Sequence, residues 1–427
     1  ALSVDTTAPS ISVASPTDGA VLPAPPSIEG SASDTNGVNT VELKITDSQG
    51  DTWDGSAFTT DTSWVLATDT ASWTFDTNAI TSEESYDVTV RATDIAGNVQ
   101  TTADPVVTYT LDGTAPTVKT VQATDATDSN SVVADGNTVT ITANVMDANG
   151  ISSVTADASG FGAGSVPLAD DGPDSTTADD TYSAEITVDG SSTTDGSQSV
   201  TVSAIDEAGN GGTQAVQSTT LTVDTTPPTV SYSSPTGLTS DQPTIEISLS
   251  ETESDIDPSS IDVIVSDSDT SDDADLTQTG TGGGVSYSDG TLEIDLSTAG
   301  VALADGPVDV TVSASDRGGN SNSLSTSSAF TVDTSAPNIT NIQATDATDG
   351  NGVVADGDTV TITADVADAN GISSVTADAS SFGADSSVTL EDNGPDSTAD
   401  DDTYSAEITV NGSATSDGAQ SMIVTAT

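Results

Sequence analysis

The sequence contains no cysteine and no histidine among its 427 residues, and these absences exclude several kinds of chemistry. Disulfide bridges cannot form. Zinc sites of the usual kind and nucleophilic systems built from Ser-His-Asp or Cys-His are excluded as well. Composition still allows paired carboxylates for glycoside cleavage. The aromatic residues that would line a sugar cleft make up only 3% of the chain, however. The sequence therefore predicts a protein that is not an enzyme.

Basic residues are almost absent: 4 Lys and Arg stand against 68 Asp and Glu, and the formal net charge is −64. Nucleic acid is excluded as a partner, because phosphate binding needs Lys and Arg. No apolar run approaches the ~20 residues that cross a bilayer, so the segment is predicted to have no membrane span. Such a chain repels itself in dilute buffer, but in molar salt the screening length falls to ~3 Å. The composition therefore predicts an acidic protein of a halophile.

What is present is a strand pattern: Val and Ile alternate with Thr and Ser in short runs that turn residues interrupt. In one such run, Val139, Ile141, Ala143 and Val145 would share a buried face. About seven strands in each ~110 residues, without helical periodicity, are typical of a sandwich of two antiparallel sheets. We therefore predict an all-β protein made of tandem immunoglobulin-like β-sandwiches in an elongated rod.

Four similar blocks mark the domain boundaries, and each joins a strand end to an Asp, two turn-forming residues and a Pro. They are VDTTAP (Val4–Pro9), LDGTAP (Leu111–Pro116), VDTTPP (Val223–Pro228) and VDTSAP (Val332–Pro337). Pro suits a stiff crossing between domains, because it fixes φ and donates no hydrogen bond. The predicted divisions are residues 1–4 as the last strand of a preceding unit, 5–111, 112–223 and 224–332 as complete domains, and 333–427 as a fourth domain lacking its last strand.

The second and fourth predicted domains are close copies, since residues 123–159 match residues 344–380 almost throughout. Residues 2–5, Leu-Ser-Val-Asp, resemble the last strand of a domain, whereas residues 420–427 align with 198–205. We therefore expect the chain to be a window of a longer repeat protein, whose neighbouring domains are its partners. The alternative is strand exchange, in which residues 1–4 of one copy complete the fourth domain of the next.

An acid-containing loop also recurs: VRATDIAGN (Val90–Asn98) returns as VSAIDEAGN (Val202–Asn210) and VSASDRGGN (Val312–Asn320). In an immunoglobulin-type sandwich this sixth-to-seventh strand loop, the second-to-third strand loop and the start of the domain lie at one end. The acids and amides that these three segments bring together are Asp5, Asp34, Asn36, Asp94, Asn98, Asp112, Asp147, Asn149, Asp206, Asn210, Asp224, Asp316, Asn320, Asp333, Asp368 and Asn370. Asp255 departs from the pattern, because the second-to-third strand loop of the third domain has the different sequence ETESDI.

Crowded carboxylates of this kind predict bound calcium at each domain junction. Ca²⁺ takes 6–8 oxygen ligands in flexible geometry, and it relieves the repulsion between the acids. The simpler interpretation is that Asp and Asn only form turns or keep the chain soluble. Two further acidic loops, residues 168–183 and 390–405, have the density of a calcium loop without the order of an EF-hand.

The three Trp residues, at 53, 64 and 73, all lie in the first predicted domain. They would either fill a core that has few large side chains or form a platform for carbohydrate. Sequons at Asn338 and Asn411 predict N-glycans and agree with an extracellular location.

The V-D-x-T-x-P blocks and the A-x-D-x-A-G-N loops resemble the bacterial-type Ig-like repeats of prokaryotic adhesins and surface proteins, in a haloarchaeal variant. The series from Trp53 to Asn98 is similar to one subtype. The resemblance implies that calcium stiffens the junctions, with roles for Asp94, Asn98 and Asp112 and for their counterparts Asp206, Asn210, Asp224, Asp316, Asn320 and Asp333.

The resemblance implies a structural rod segment of a secreted or cell-surface protein, such as an adhesin, a filament subunit that self-assembles, or an S-layer-like component. Two alternatives are an accessory or carbohydrate-binding module of an extracellular enzyme and a fibre protein of a virus that infects a halophile.

Overall fold

The computed structural model describes residues 3–103, 106–170, 172, 180–215, 220–267, 274–275, 284–392, 394–395 and 402–427. The chain divides into two compact units. Unit one contains residues 1–226, 252–255 and 317–320, and unit two contains residues 227–251, 256–316 and 321–427. Each unit holds two β-sandwiches, and each sandwich has its own apolar core.

Sandwich one, in unit one, consists of two sheets that enclose Trp73, Tyr86 and Tyr109, all fully buried. The first sheet has the order β1-β3-β8, and the second has the order β2-β11-β9-β4-β5-β6, with β10 on β9 and β7 on β4. The strands are β1 (Ser10–Ser15), β2 (Ala20–Leu22), β3 (Ser27–Ser33), β4 (Val38–Thr46), β5 (Thr52–Trp53), β6 (Phe58–Thr59), β7 (Val65–Leu66), β8 (Ser72–Asp76), β9 (Ser85–Asp94), β10 (Val99–Thr101) and β11 (Val107–Leu111).

Sandwich two, also in unit one, has three sheets of the orders β12-β14-β17, β13-β21-β18 and β16-β15-β19-β20. The four residues Val139, Ile141, Ala143 and Val145 are buried on one face of β14, as the period-two pattern predicts. The strands are β12 (Thr117–Asp125), β13 (Val132–Val133), β14 (Thr138–Met146), β15 (Ile151–Asp157), β16 (Ser165–Leu168), β17 (Thr181–Thr187), β18 (Gly196–Gln198), β19 (Thr201–Asp206), β20 (Gly211–Ala215) and β21 (Leu221–Val223), with a 3₁₀ turn at Ser159–Phe161.

Sandwich three, in unit two, packs Ile245, Ile247 and Phe330 between sheets of the orders β22-β24-β28-β27 and β23-β30-β29-β25-β26. Its elements are β22 (Thr229–Ser234), β23 (Leu238–Thr239), β24 (Thr244–Ser250), β25 (Asp262–Ser266), β26 (Ala274–Asp275), β27 (Val285–Ser288), β28 (Thr291–Asp295), α1 (Leu296–Ala299), β29 (Gly306–Ser315) and β30 (Ser321–Val332), with a 3₁₀ turn at Pro258–Ser260.

Sandwich four, in unit two, repeats most of sandwich two in sheets of the orders β31-β32-β35 and β34-β33-β36. Its strands are β31 (Asn338–Asp346), β32 (Thr359–Ala367), β33 (Val375–Asp378), β34 (Val388–Leu390), β35 (Thr403–Thr409) and β36 (Ile423–Ala426), with a 3₁₀ turn at Ser380–Phe382. The described part of sandwich four has no counterpart of the sheet β13-β21-β18. Because β13 and β18 pair only with β21, all three strands are missing together.

The sandwiches are not purely antiparallel, which the sequence did not predict. A short second strand pairs in parallel with the last strand in three of them, as β2 with β11, β13 with β21 and β23 with β30. The prediction that residues 1–4 form the last strand of a preceding unit stays a prediction, because residues 1 and 2 lie outside the described part of the chain. Ser3 and Val4 are in no strand of the described residues, and Val4 is 90% exposed.

Among the described residues, no helix has both the length and the apolar character that a membrane crossing requires.

Candidate metal sites at the domain starts

The recurring Asp-x-x-Gly-Asn loop is a tight turn that its acid organises. In sandwich one the Gly97 amide donates to the Asp94 carbonyl at 3.2 Å, and the Asn98 amide donates to Asp94 Oδ1 at 2.8 Å. Gly97 has φ of +94°, which a residue without Cβ adopts freely. The loop of Asp206 in sandwich two has the same bonds, at 3.2 and 2.8 Å. The motif therefore holds an Asp side chain in a fixed orientation at the end of a strand.

The first acid cluster lies at the start of sandwich one and joins three segments of the chain. Carboxylate oxygens of Asp5, Asp34 and Asp94 lie within 4.8 Å of one another. Asp94 is 1% exposed, whereas Asp5 and Asp34 are half-buried. The loop of Asp34 is closed by the Asn36 amide, which donates to Asp34 Oδ1 at 2.7 Å.

The second acid cluster lies at the start of sandwich two and repeats the first. Carboxylate oxygens of Asp112, Asp147 and Asp206 lie within 4.8 Å of one another. Asp112 and Asp206 are 2% and 1% exposed. Asp112 Oδ1 accepts a hydrogen bond from the Thr114 amide at 3.2 Å, but Asp112 Oδ2 is buried without a hydrogen-bond partner. A buried carboxylate oxygen without a partner is costly unless a cation or a donor compensates its charge.

The side chains of Asn98 and Asn210 donate hydrogen bonds through Nδ2, and their predicted role as metal ligands through Oδ1 stays a prediction. Asn98 Nδ2 donates to Asp94 Oδ2 at 2.7 Å and to the Asp5 carbonyl at 3.3 Å. Asn210 Nδ2 donates to Asp206 Oδ2 at 2.8 Å and to the Asp112 carbonyl at 2.7 Å. Each Asn therefore ties the acid of its own loop to the linker that precedes the domain.

The pKa of the Asp94 carboxyl reflects two opposing effects. Burial raises this pKa, but the hydrogen bonds that Asn98 donates through its side chain and its backbone amide outweigh burial. The pKa of Asp94 therefore lies below its ordinary value, and the carboxylate is the stable form at neutral pH.

Asp224 and Asn320, both in unit one, show the same linker geometry. Asn320 Nδ2 donates to the Asp224 carbonyl at 2.8 Å. Asp224 is fully buried, its Oδ1 accepts from the Thr226 amide at 3.1 Å, and its Oδ2 has no hydrogen-bond partner. Asp255 has a different environment, because it is exposed and its Oδ2 lies 3.8 Å from Arg317 Nη2.

In unit two, Asp316 has an acidic neighbour that sequence reasoning did not select. Carboxylate oxygens of Asp316 and Glu251 lie within 4.8 Å of each other. Glu251 directly follows strand β24, and this position at a strand end is the feature that could have identified it from the sequence. The loop there, ETESDI, lacks the Asp-x-Asn-Gly pattern, and the pattern of the other domains pointed to Asp255 in it.

Asp333, Asp368 and Asn370 each take part in a local turn of unit two. Asp333 Oδ1 accepts from the Ser335 amide at 3.1 Å, and Asp368 Oδ1 accepts from the Asn370 amide at 2.8 Å. Likewise, Asp147 Oδ1 accepts from the Asn149 amide at 2.8 Å in unit one. The described residues contain no group of three acids that includes Asp333 or Asp368.

Parts of the two long acidic loops, residues 171 and 173–179 and residues 393 and 396–401, lie outside the described part of the chain. The structure describes all three Trp residues. Trp53 and Trp73 are 6% and 0% exposed, and the Arg91 guanidinium lies 4.1 Å from the Trp64 ring centre. The indole rings therefore fill a core or stack on a cation and do not form an open platform.

The carboxylate geometry of the first two clusters fits a calcium ion. Two oxygens that both bind one Ca²⁺ at 2.3–2.6 Å are at most about 5 Å apart. The 4.8 Å limit within each cluster satisfies this condition. The three acids come from the linker and two loops of one sandwich, and backbone carbonyls and water would complete the 6–8 ligands that the ion prefers.

Comparisons with known proteins agree with this fold. Residues 9–90 match the family model described as bacterial Ig domain, and residues 182–288 match that of bacterial Ig-like domain (group 3). The second match runs across the boundary between sandwiches two and three. Two segments of the chain thus match bacterial Ig-like domains, as the resemblance in its sequence implies.

A curated relative is Halomucin of Haloquadratum walsbyi, which is 49% identical over 104 residues. The match covers 24% of this chain and 1% of Halomucin. Among solved structures, a tetra-tandem repeat from the extending region of a large adhesion protein is 21% identical, with a TM-score of 0.33 over 96% of this chain and 92% of that one. A bacterial ice-binding adhesin involved in host cell surface retention is 19% identical, with a TM-score of 0.32 over 76% and 98% of the two chains.

Proposed function

We propose that this chain is a structural segment of a secreted or cell-surface protein of a halophile, in which calcium ions stiffen a rod of tandem Ig-like domains. The segment would hold another part of a longer protein away from the cell and would carry no catalytic activity. The match to Halomucin and the composition, with 4 basic residues against 68 acids, support the halophilic setting.

The observation that carries the proposal is the unpartnered, buried Oδ2 of Asp112 within the second acid cluster. Asp112 belongs to the linker, whereas Asp147 and Asp206 belong to loops of sandwich two. An ion bound by all three would fasten the linker to the domain that follows it. The same ion would relieve the repulsion between the three carboxylates.

The test is thermal unfolding of the full chain in concentrated KCl, with a calcium chelator and then with excess Ca²⁺. A ligand bound only by the folded state stabilises it by about 2.7 kcal/mol at 100 times its dissociation constant. We expect Asp112→Asn to reduce this calcium response. In chelator, the same variant should melt at a higher temperature than the wild type, because one of three crowded negative charges is removed.

Glu29→Gln is the matched control, because it removes one negative charge from an exposed position of strand β3 that lies outside the clusters. It should follow the wild type under both conditions. An identical calcium response in the wild type and in Asp112→Asn would contradict the proposed site.

We further propose N-glycans at Asn338 and Asn411. Both residues are exposed in sandwich four, and sandwich two has Thr117 and Asp189 at the matching positions. Mass spectrometry of peptides from the native protein should find glycan on these two residues. Unmodified peptides at full yield would contradict this proposal.

No observation favours the carbohydrate-binding alternative, because two of the three indole rings are buried and the third is covered by Arg91.

A further inference from the structure

The linker between sandwiches one and two is held by a carboxylate of sandwich one, in addition to the Asn210 side chain of sandwich two. Glu83 lies just before strand β9. Its Oε1 accepts a hydrogen bond from the Gly113 amide at 3.1 Å, and its Oε2 accepts from Thr114 Oγ1 at 2.7 Å. These two linker residues directly follow Asp112, the buried acid of the second cluster.

Asp195 of sandwich two holds the next linker in the same way. Its Oδ1 accepts from the Thr225 amide at 2.9 Å and from Thr225 Oγ1 at 2.7 Å, and its Oδ2 accepts from Thr226 Oγ1 at 2.6 Å. Burial raises the pKa of Asp195, but these hydrogen bonds outweigh burial and lower it below its ordinary value. Here too the two linker residues directly follow a buried acid, Asp224.

Asp305 of sandwich three repeats the arrangement within unit two. Its Oδ1 accepts from the Thr334 amide at 2.9 Å and from Thr334 Oγ1 at 2.7 Å, and its Oδ2 accepts from Ser335 Oγ at 2.7 Å. The hydrogen bonds from Ser335 and Thr334 lower the pKa of Asp305 below its ordinary value. Three linkers therefore present the same amide and hydroxyl groups to a carboxylate of the preceding sandwich.

The length of the acid matches the linker residue that it holds. The long acid, Glu83, faces Gly113, whereas the shorter Asp195 and Asp305 face threonines. A Cβ added at Gly113 would lie 3.0 Å from Glu83 Oε1, a closer contact than nine in ten real Cβ atoms make. The three joints thus make the same contact with two different pairs, Glu with Gly and Asp with Thr.

We propose that Glu83, Asp195 and Asp305 are positioning residues that hold each linker in place before any ion binds. In each linker the hydroxyl residue that the carboxylate holds also donates its amide to Oδ1 of the preceding acid, at 3.1–3.2 Å. In two of the linkers this leaves Oδ2 of that acid buried and available, on Asp112 and on Asp224. We call this contact between a carboxylate and the linker the clamp. The clamp thereby sets the direction of the carboxylate that the calcium proposal requires, and in that respect the inference rests on the proposed function.

The first test compares Glu83→Ala with Glu83→Gln in the full chain, in concentrated KCl with chelator. Both variants remove the same charge. Glutamine can still accept from the Gly113 amide through its oxygen, and it can donate to Thr114 Oγ1 through its nitrogen. We expect the Gly113 amide to exchange its hydrogen at least about tenfold faster in Glu83→Ala, because two hydrogen bonds are lost. In Glu83→Gln its exchange should stay close to that of the wild type. Equal exchange in wild type and Glu83→Ala would overturn the proposal.

The second test uses the match between acid length and linker residue. Gly113→Thr alone should speed exchange at the Thr114 amide, since the new Cβ crowds Glu83. Adding Glu83→Asp recreates the pair that Asp195 and Thr225 form, and it should restore slow exchange. The proposed pairing would be overturned if the Thr114 amide of the double variant exchanged as fast as the summed effects of the two single substitutions predict.

The third test measures calcium binding by titration in the same variants. Glu83→Ala should lower the affinity of the site at Asp112 several-fold, and Glu83→Gln should retain it. A chain that binds no calcium at all would overturn the proposed function. That result would leave the exchange rates measured in chelator unchanged, so failure of the clamp and failure of the calcium site are distinguishable.

Discussion

At the scale of single residues, the joints depend on carboxylates that hydrogen bonds keep ionised. Asp94 shows this most directly, since Asn98 donates to both of its oxygens, at 2.8 and 2.7 Å. Its folded pKa is below its ordinary value. This group therefore stabilises the folded state above the unfolded pKa of ~3.9, and the contribution is lost as the pH falls through the lower, folded pKa.

We expect Asn98→Ala to raise the pKa of Asp94, because the side-chain donor is removed while the backbone donor remains. Carboxyl-carbon NMR titration of the full chain in chelator would measure it. Asn78→Ala is the control, since Asn78 donates to Asp76 at 2.8 Å and should leave Asp94 unchanged. A titration of Asp94 that is the same in Asn98→Ala and wild type would contradict this account.

At the scale of secondary-structure elements, the tight turn after the sixth strand is set by glycine. Gly97, Gly209 and Gly319 occupy the same place in three sandwiches, with φ of +94°, +93° and +89°. A residue with Cβ is strained in this region by roughly 1–2 kcal/mol. The turn matters because it holds Asp94, Asp206 and Asp316 at the end of a strand in each of the three sandwiches.

Gly97→Ala should lower the free energy of unfolding of sandwich one by about 1 kcal/mol in chelator, since Ala is strained at this φ. Denaturant unfolding followed by tryptophan fluorescence reports on this sandwich, which contains all three Trp residues. Gln100→Ala is the control, because Gln100 is exposed in strand β10 of the same sandwich and has no positive φ. Equal losses in the two variants would contradict the backbone explanation.

Long alternating strands could be predicted from the sequence, and short ones could not. Strand β14 shows its buried face through Val139, Ile141 and the residues that follow at period two. Strand β13 has two residues, and it exists because Val132 and Val133 pair with Thr222 and Val223, about ninety positions later. The acid clusters were predictable because their loops repeat in the sequence. The Glu83 clamp was not, because its partners lie thirty positions away and neither side has a distinctive motif.

At the scale of the whole molecule, charge dominates the conditions under which the chain folds. The net charge is −64, and in the described part of the chain the closest ion pair joins Arg91 Nε to Glu42 at 2.8 Å. Repulsion between the remaining acids acts over ~10 Å at 0.1 M salt and over ~3 Å at 1 M.

The melting temperature in chelator should therefore fall steeply as KCl is diluted from molar concentration. NaCl at equal concentration should give the same melting temperature, because screening depends on ionic strength. A melting temperature that does not depend on KCl concentration would show that self-repulsion does not limit folding.

The two related sandwiches provide an internal comparison of stability. Strands β14 and β32 have almost the same sequence and the same burial. In sandwich two, Val133 is fully buried beside strand β21, whereas in sandwich four its counterpart Val354 is half-buried and Val353 is 76% exposed. Amides of β32 should thus exchange faster than those of β14. Equal rates would mean that the sheet around β21 adds little to stability.

The parallel pairing of the second strand with the last strand decides how a domain responds to tension. In sandwich one, β2 lies near the point where the chain comes in, and β11 lies where it leaves. When the two ends are drawn apart, these neighbouring strands are pulled in opposite directions along their length. The force then shears all of their hydrogen bonds at once and does not open them one after another. A domain of this design would resist stretching even where its core is made of small side chains.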